Sequence, residues 1–210
     1  METMTLIYWL VFFILIIGVF IGFFKMFERS KPSVENIVII AILIAISALG
    51  TLPTAAVPGV QVASFIIIMT GIVFGEKTGF ITGALTPIVT GLFLGLGFWT
   101  VLQMLGWGIM GLTAGILSKS LKKSTPSRAI FGLGWGILYG WITNIAMLPF
   151  LATISFESVL SVYAASFTFD LIHGIVNAVL LILLFGTFER IFLRAKEKYF
   201  LDNEESSSKT

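Results

Sequence analysis

The stretch FWTVLQMLGWGIMGLTAG, residues 98–115, is apolar enough to sit among lipid tails, yet it holds Gln103 between two indoles and carries four glycines. A side-chain amide at such a place is costly unless it faces a cavity or a partner inside the bundle. Trp99, Gln103 and Trp107 advance by four residues each, drifting only about 40° per step, so they form one stripe along a helix. Two indoles around one amide suit a ligand that is flat or bulky, apolar on its faces and polar at its edge. The competing reading makes Trp99 an anchor at the membrane boundary. Trp135, Tyr139 and Trp141, in the next apolar run, are candidates to extend the stripe.

The surrounding chain is of the same kind. Of 210 residues, 57% are hydrophobic and 11% charged, against about 25% charged in an ordinary soluble domain. Apolar runs at 5–24, 36–52, 62–75, 79–96, 99–118, 129–151 and 160–188 predict seven helices. The fold class expected is an all-α integral membrane protein, a six-helix bundle preceded by one extra N-terminal transmembrane helix. The first run has no basic residue before it and no small-residue cleavage site after it, so it reads as a retained span. The runs 62–75 and 79–96 are separated only by GEKTG, which predicts a tight turn.

Seven spans put all thirteen basic residues on one side: Lys25, Arg29 and Lys31, then Lys77, then Lys119, Lys122, Lys123 and Arg128, then Arg190, Arg194, Lys196, Lys198 and Lys209. Lysine and arginine are retained on the cytoplasmic side, so the expected topology has the N-terminus outside and the C-terminus in the cytoplasm. The net charge of +2 is then a topology signal and gives no reason to expect a nucleic-acid partner. Four segments follow: residues 1–27 as the extra helix, 28–35 as a cytoplasmic linker, 36–195 as the membrane domain, and 196–210 as a polar, serine-rich tail of disordered composition.

Several chemistries are excluded. Without cysteine there is no disulfide or thiolate nucleophile, and a single histidine rules out the usual multi-histidine metal centres. Neither G-x-S-x-G nor H-E-x-x-H occurs, so an enzyme is not expected and no catalytic residue is assigned. There is no G-x-x-x-x-G-K-[ST] phosphate loop. Active movement of a solute would therefore draw on another subunit or an ion gradient, and no cofactor is expected in this chain.

The intramembrane polar residues share a location. Gln103 lies one turn into a helix that starts outside, Asn144 in the outer third of the next, and Asp170 enters the last helix from outside. His173 and Asn177 follow Asp170 at i+3 and i+7, on the same face. The connection TLPTAAVPGVQ adds Thr51, Thr54 and Gln61. The cytoplasmic halves of these helices are mostly Leu, Ile, Gly and Ala. This asymmetry predicts a polar-lined pocket open to the outside, whereas a continuous ion path needs ionisable groups through the full thickness. A hydrogen-bonded tie between helices is the competing reading of Asp170 and His173. Small residues four apart, at Gly111 and Gly115, at Gly132, Gly136 and Gly140, and at Ala41 and Ala45, predict close helix packing.

These features resemble the substrate-binding S components of energy-coupling factor transporters over residues 34–195. GFWTVLQMLGWGIMGLTAG resembles the family's pattern around the fourth helix of the fold. FDLIHGIVNAVL, Phe169–Leu180, is similar to the start of its sixth helix, and GIVFGEKTGFITGAL to the hairpin between its second and third helices. The resemblance implies capture of a vitamin from outside, a transmembrane coupling protein and two cytoplasmic ATPases as partners, and ATP used by those partners alone. It implies that Gln61, Trp99, Gln103, Trp107, Asn144, Asp170, His173 and Asn177 line the substrate site and that Ala41 and Ala45 dock the coupling protein. The tryptophan–glutamine–tryptophan–glycine pattern is most similar to members for cobalamin or its precursors, with queuosine precursors, pantothenate and other vitamins as alternatives. The helix at 5–24 departs from the usual six-helix unit. Two other classes compete: a secondary transporter using Asp170 and His173 for proton coupling, and a non-transporting membrane scaffold.

Overall fold

A computed structural model of the chain describes residues 2–29 and 31–201, and every regular element among them is helical. The chain divides into two compact units, residues 1–33 and 34–210. The first is α1 (Glu2–Arg29), which continues past Phe24, the end of the unbroken apolar run, to Arg29, so Lys25 and Arg29 lie on its closing turns rather than in a connection. Basic side chains at a helix C-terminus suit the negative end of the helix dipole, which is how an apolar helix ends in KMFER without breaking.

The second unit contains α2 (Val34–Thr51), α3 (Val62–Phe74), α4 (Glu76–Leu94), α5 (Trp99–Ile116), α6 (Ser118–Lys123), α7 (Thr125–Asn144), α8 (Phe156–Leu183) and α9 (Phe185–Lys196). Among the described residues six helices are long and apolar enough to cross a membrane, beginning with α1, while α3 is apolar but shorter. At 13 residues α3 rises only about 20 Å, less than the ~30 Å hydrocarbon core. It is apolar all round, the pattern of a buried helix, and Ala63–Phe74 are indeed all buried. The expected tight turn into α4 is a single residue, Gly75, at φ +97°, a conformation natural to glycine.

Two antiparallel pairs flank α3, and in each the contact is made by glycines. In the α4/α5 pair, a Cβ on Gly79 would stand 2.4 Å from the Gly111 carbonyl oxygen, and one on Gly83 would stand 2.1 Å from that of Trp107. In the α7/α8 pair, Gly136 faces the Gly174 backbone nitrogen at 2.1 Å from its would-be Cβ, and Gly132 faces Asn177 and Ala178. The small-residue spacing in the sequence thus serves backbone-to-backbone packing, the means by which helices associate where hydrophobic burial drives little.

The run read as one span over 160–188 is two helices. α8 ends at Leu183 and α9 starts at Phe185. Phe185 and Phe192 of α9 are buried in the core, whereas Arg190 and Arg194 are exposed. Phe188 meets Phe65 edge-on at 4.9 Å, and Phe192 meets Phe74 at 5.7 Å. Two cations fasten this end of the bundle. Lys196 Nζ donates to the Val73 carbonyl at 2.8 Å, and Arg128 donates to the Leu121 carbonyl at 2.9 Å with its guanidinium 4.0 Å from the Phe185 ring. Both satisfy carbonyls that a helix terminus leaves without an intrahelical partner. Glu197–Leu201 form a π-helical turn, and the remainder of the tail, 202–210, lies outside the described residues.

Candidate functional site

The convergence of four helices on Ser64 defines the site. Ser64 stands in the first turn of α3, fully buried. Its Oγ accepts a hydrogen bond from Trp107 Nε1 at 2.9 Å and pairs with His173 Nε2 at 2.7 Å. Indole N–H can only donate, so Ser64 Oγ accepts from Trp107, while the direction of its bond to His173 Nε2 follows the imidazole tautomer. Tyr139 of α7 closes the group, stacked on Trp107 with centroids 5.1 Å apart and edge-on to His173 at 5.3 Å. The glycine seams make this approach possible: Gly106 lies against the Tyr139 ring, and Gly136 brings α7 against the backbone of His173 and Gly174.

A second polar group adjoins it on α8. Asn144 Nδ2 donates to Ser166 Oγ at 2.6 Å, and Ser166 Oγ donates to Asp170 Oδ2 at 2.9 Å. The Asp170 carboxylate lies over Gly140, where any side chain would collide with it. Asp170 is 7% exposed and His173 2%. One turn farther along α8, Asn177 is fully buried and donates to the Gly132 carbonyl at 3.4 Å, while its Oδ1 has no partner.

Of the residues singled out in the sequence, Trp107 and His173 meet through Ser64 and Asn144 and Asp170 meet through Ser166. Gln103 stands beside Tyr139, whose hydroxyl reaches no well-formed hydrogen bond. Gln61 precedes α3, and its side-chain oxygen is buried without a partner. Trp99 is apart from this group: it opens α5, 39% exposed, edge-on to Phe98, about 12 Å along the axis from Trp107. Trp141 is likewise exposed, against Tyr163, and Trp135 packs near Phe131. Thr51 serves the chain reversal, its Oγ1 accepting from the Ala63 amide at 3.1 Å.

Ser64 and Ser166 were absent from the sequence reading. Ser166 had a signal, lying four residues before Asp170 and therefore on its face. Ser64 had none, because its role depends on Trp107, 43 residues away.

The connection between α2 and α3 covers the site from one end. Gly59, at φ +82°, packs against the Phe169 carbonyl and the Ile172 side chain, and a Cβ there would lie 2.8 Å from the former. Elsewhere on the unit, Ala41 and Ala45 are exposed on α2. With Ile44, Leu85, Ile88 and Val89 they line an apolar groove of about 280 Å³.

Residues 35–185 match the family model for the substrate-specific component of ECF transporters. The chain is also similar to a UPF0397 protein of Vibrio atlanticus (strain LGP32), 33% identical over 95 residues, a stretch covering 43% of this chain and 52% of that protein. The chain thus spans about half the length of that curated relative. No solved structure matches it. The matched span takes in α2 to α8, hence both glycine seams and every residue of the Ser64–Trp107–Tyr139–His173 group, and the chain belongs to the family of ECF transporter substrate-specific components.

Proposed function

We propose that this chain is the capture subunit of an ATP-driven importer. It binds a vitamin at the Ser64–Trp107–Tyr139–His173 centre and delivers it inward with a coupling protein and two ATPases. Its family binds small-molecule substrates as a transporter component rather than an enzyme. The observation that carries the reading is the meeting of polar and aromatic side chains from α3, α5, α7 and α8 around Ser64. A ligand-sized site in a bundle is built in this way, from apolar walls with a few placed polar groups.

Within this reading Gln61, Gln103, Trp107, Asn144, Asp170, His173 and Asn177 contact the substrate or hold the residues that do, and Trp99 stands at the mouth. The end bearing the α2–α3 connection faces outward, because the opposite end carries Lys77, Lys122, Arg128 and Lys196. Substrate reaches the centre when the loop around Gly59 lifts from α8. The groove at Ala41 and Ala45 seats the coupling protein. The leading substrate candidate is cobalamin or a corrinoid precursor, from the tryptophan–glutamine–tryptophan–glycine pattern of α5.

Uptake of labelled vitamins, cyanocobalamin first, by cells producing the chain with a coupling protein and two ATPases tests this reading. It expects uptake to persist when the proton gradient is dissipated and to stop when ATP is depleted. The reverse result selects a secondary transporter that couples protons through Asp170 and His173.

A further inference from the structure

Buried polar atoms in folded proteins almost always have hydrogen-bond partners, so those that lack one point to a missing group. Around this site the unpartnered atoms are mostly of one kind. Besides the Tyr139 hydroxyl, the acceptors Gln61 Oε1 and Asn177 Oδ1 are buried with no partner, and among the described residues the Asp170 carboxylate accepts from Ser166 alone. They lie one turn before Ser64 on the chain, one turn after His173, and one turn before His173, so they bracket the centre along its depth. The Asn177 amide is not free to turn over, since its Nδ2 is held on the Gly132 carbonyl.

Three donors, by contrast, are used up within the protein, the unpartnered Tyr139 hydroxyl being the exception. Trp107 Nε1 is spent on Ser64, one hydrogen is taken up between Ser64 and His173, and the Ser166 hydroxyl is spent on Asp170. Cations are absent too: no lysine or arginine occurs at 78–118 or 129–189, the segments that supply α5, all but the start of α7, and α8. The site has one carboxylate and nothing to neutralise a second.

We infer that the site selects a neutral or cationic ligand whose edge presents several N–H groups, as carboxamides, amino groups or ring N–H do, and rejects ligands bearing a free carboxylate or phosphate. The inference rests on the capture reading above and narrows it. An anion would meet Asp170 and two amide oxygens with no compensating charge, and a buried unpaired charge is among the costliest arrangements. An N–H-rich edge would satisfy Gln61 Oε1, Asp170 Oδ1 and Asn177 Oδ1, while its apolar body lies against the Trp107–Tyr139 pair.

The test uses the full chain purified in mild detergent and measures binding of water-soluble vitamins by isothermal titration. Each is offered as matched forms in which a carboxamide or amine is exchanged for the free acid or the methyl ester. Cobinamide against cobyrinic acid and its heptamethyl ester is the first set. The N–H form is expected to bind, with the acid and the ester each weaker by at least about tenfold, the scale of one lost buried hydrogen bond. Asp170→Asn and Gln61→Met, near-isosteric changes, should each weaken the N–H form about tenfold while leaving the unfolding midpoint within a few degrees. Equal or tighter binding of an acid or an ester overturns the inference and leaves capture standing. No binding of any form by the folded wild-type chain overturns the capture reading, and this inference with it.

Discussion

Ser64→Ala removes one buried oxygen and leaves two groups without their partner. The hydroxyl is the acceptor for Trp107 Nε1 at 2.9 Å and the partner of His173 Nε2 at 2.7 Å, at a residue with no exposed surface. Hydrogen bonds between helices in a membrane average about 0.6 kcal/mol and reach about 1.7, and leaving a buried polar group unsatisfied costs about 1–3 kcal/mol. The two losses share one atom and are not independent, so the expected destabilisation is about 1–3 kcal/mol. The volume lost is one oxygen, too small for a cavity term to rival that figure. Unfolding in mixed micelles, followed by tryptophan fluorescence, measures it, and ligand affinity should fall about tenfold in parallel as Trp107 and His173 lose their register. A variant within 0.3 kcal/mol of wild type, with unchanged affinity, would refute the claim that Ser64 joins the three helices.

The glycine seams give a paired prediction. Gly111→Ala places a Cβ 2.2 Å from the Gly79 carbonyl oxygen, so α4 and α5 must separate and stability should fall by about 3 kcal/mol or more. Gly134→Ala, on the same scaffold with nothing within 4 Å, should be neutral or gain up to about 1 kcal/mol from helix propensity. A third concerns pH. Burial, and then the charge of Lys122, hold the Lys196 ammonium below its usual range. The folded protein therefore binds that proton less tightly than the unfolded chain, and stability should rise with pH across the window between the lowered value and 10.5. Lys122→Gln should shrink this rise in alkaline unfolding curves. Finally, Ala41→Trp fills the groove formed with Ile44, Leu85 and Ile88 and should abolish uptake while binding of the purified chain is unchanged; wild-type uptake would remove that groove from the coupling interface.

Much of the fold was legible because lipid imposes a simple rule, that each long apolar run must be a helix. All seven runs are helical, and the glycines at 111, 115, 132 and 136 face neighbouring backbone as their spacing suggested, while Gly140 faces the Asp170 carboxylate. The break at Leu184 was hidden because LLILLFGTF is apolar on both sides of it, and only the later arginines reveal that α9 has two faces. Within the site, the polar residues of α8 were readable from i, i+3 and i+7 spacing. The aromatic stripe was read as continuous, yet Trp107 is buried and Trp99 is not. A period of four fixes the face of a helix but not how far along it the neighbours extend, and α3, the neighbour that supplies Ser64, is short and sunk. The motifs around Trp107 and Asp170 pointed to the family that the match over 35–185 shows.

The central claim is that the Trp107–Tyr139–His173 centre holds a small molecule. Native mass spectrometry of the chain, released gently from detergent, reads it directly. The wild type should carry one bound small molecule per chain, lost in the Gln103→Ala, Trp107→Ala double variant while that variant still unfolds cooperatively. A wild type that binds nothing from its expression host or from a vitamin panel would contradict the account and leave Trp107 and Tyr139 as packing within a membrane scaffold.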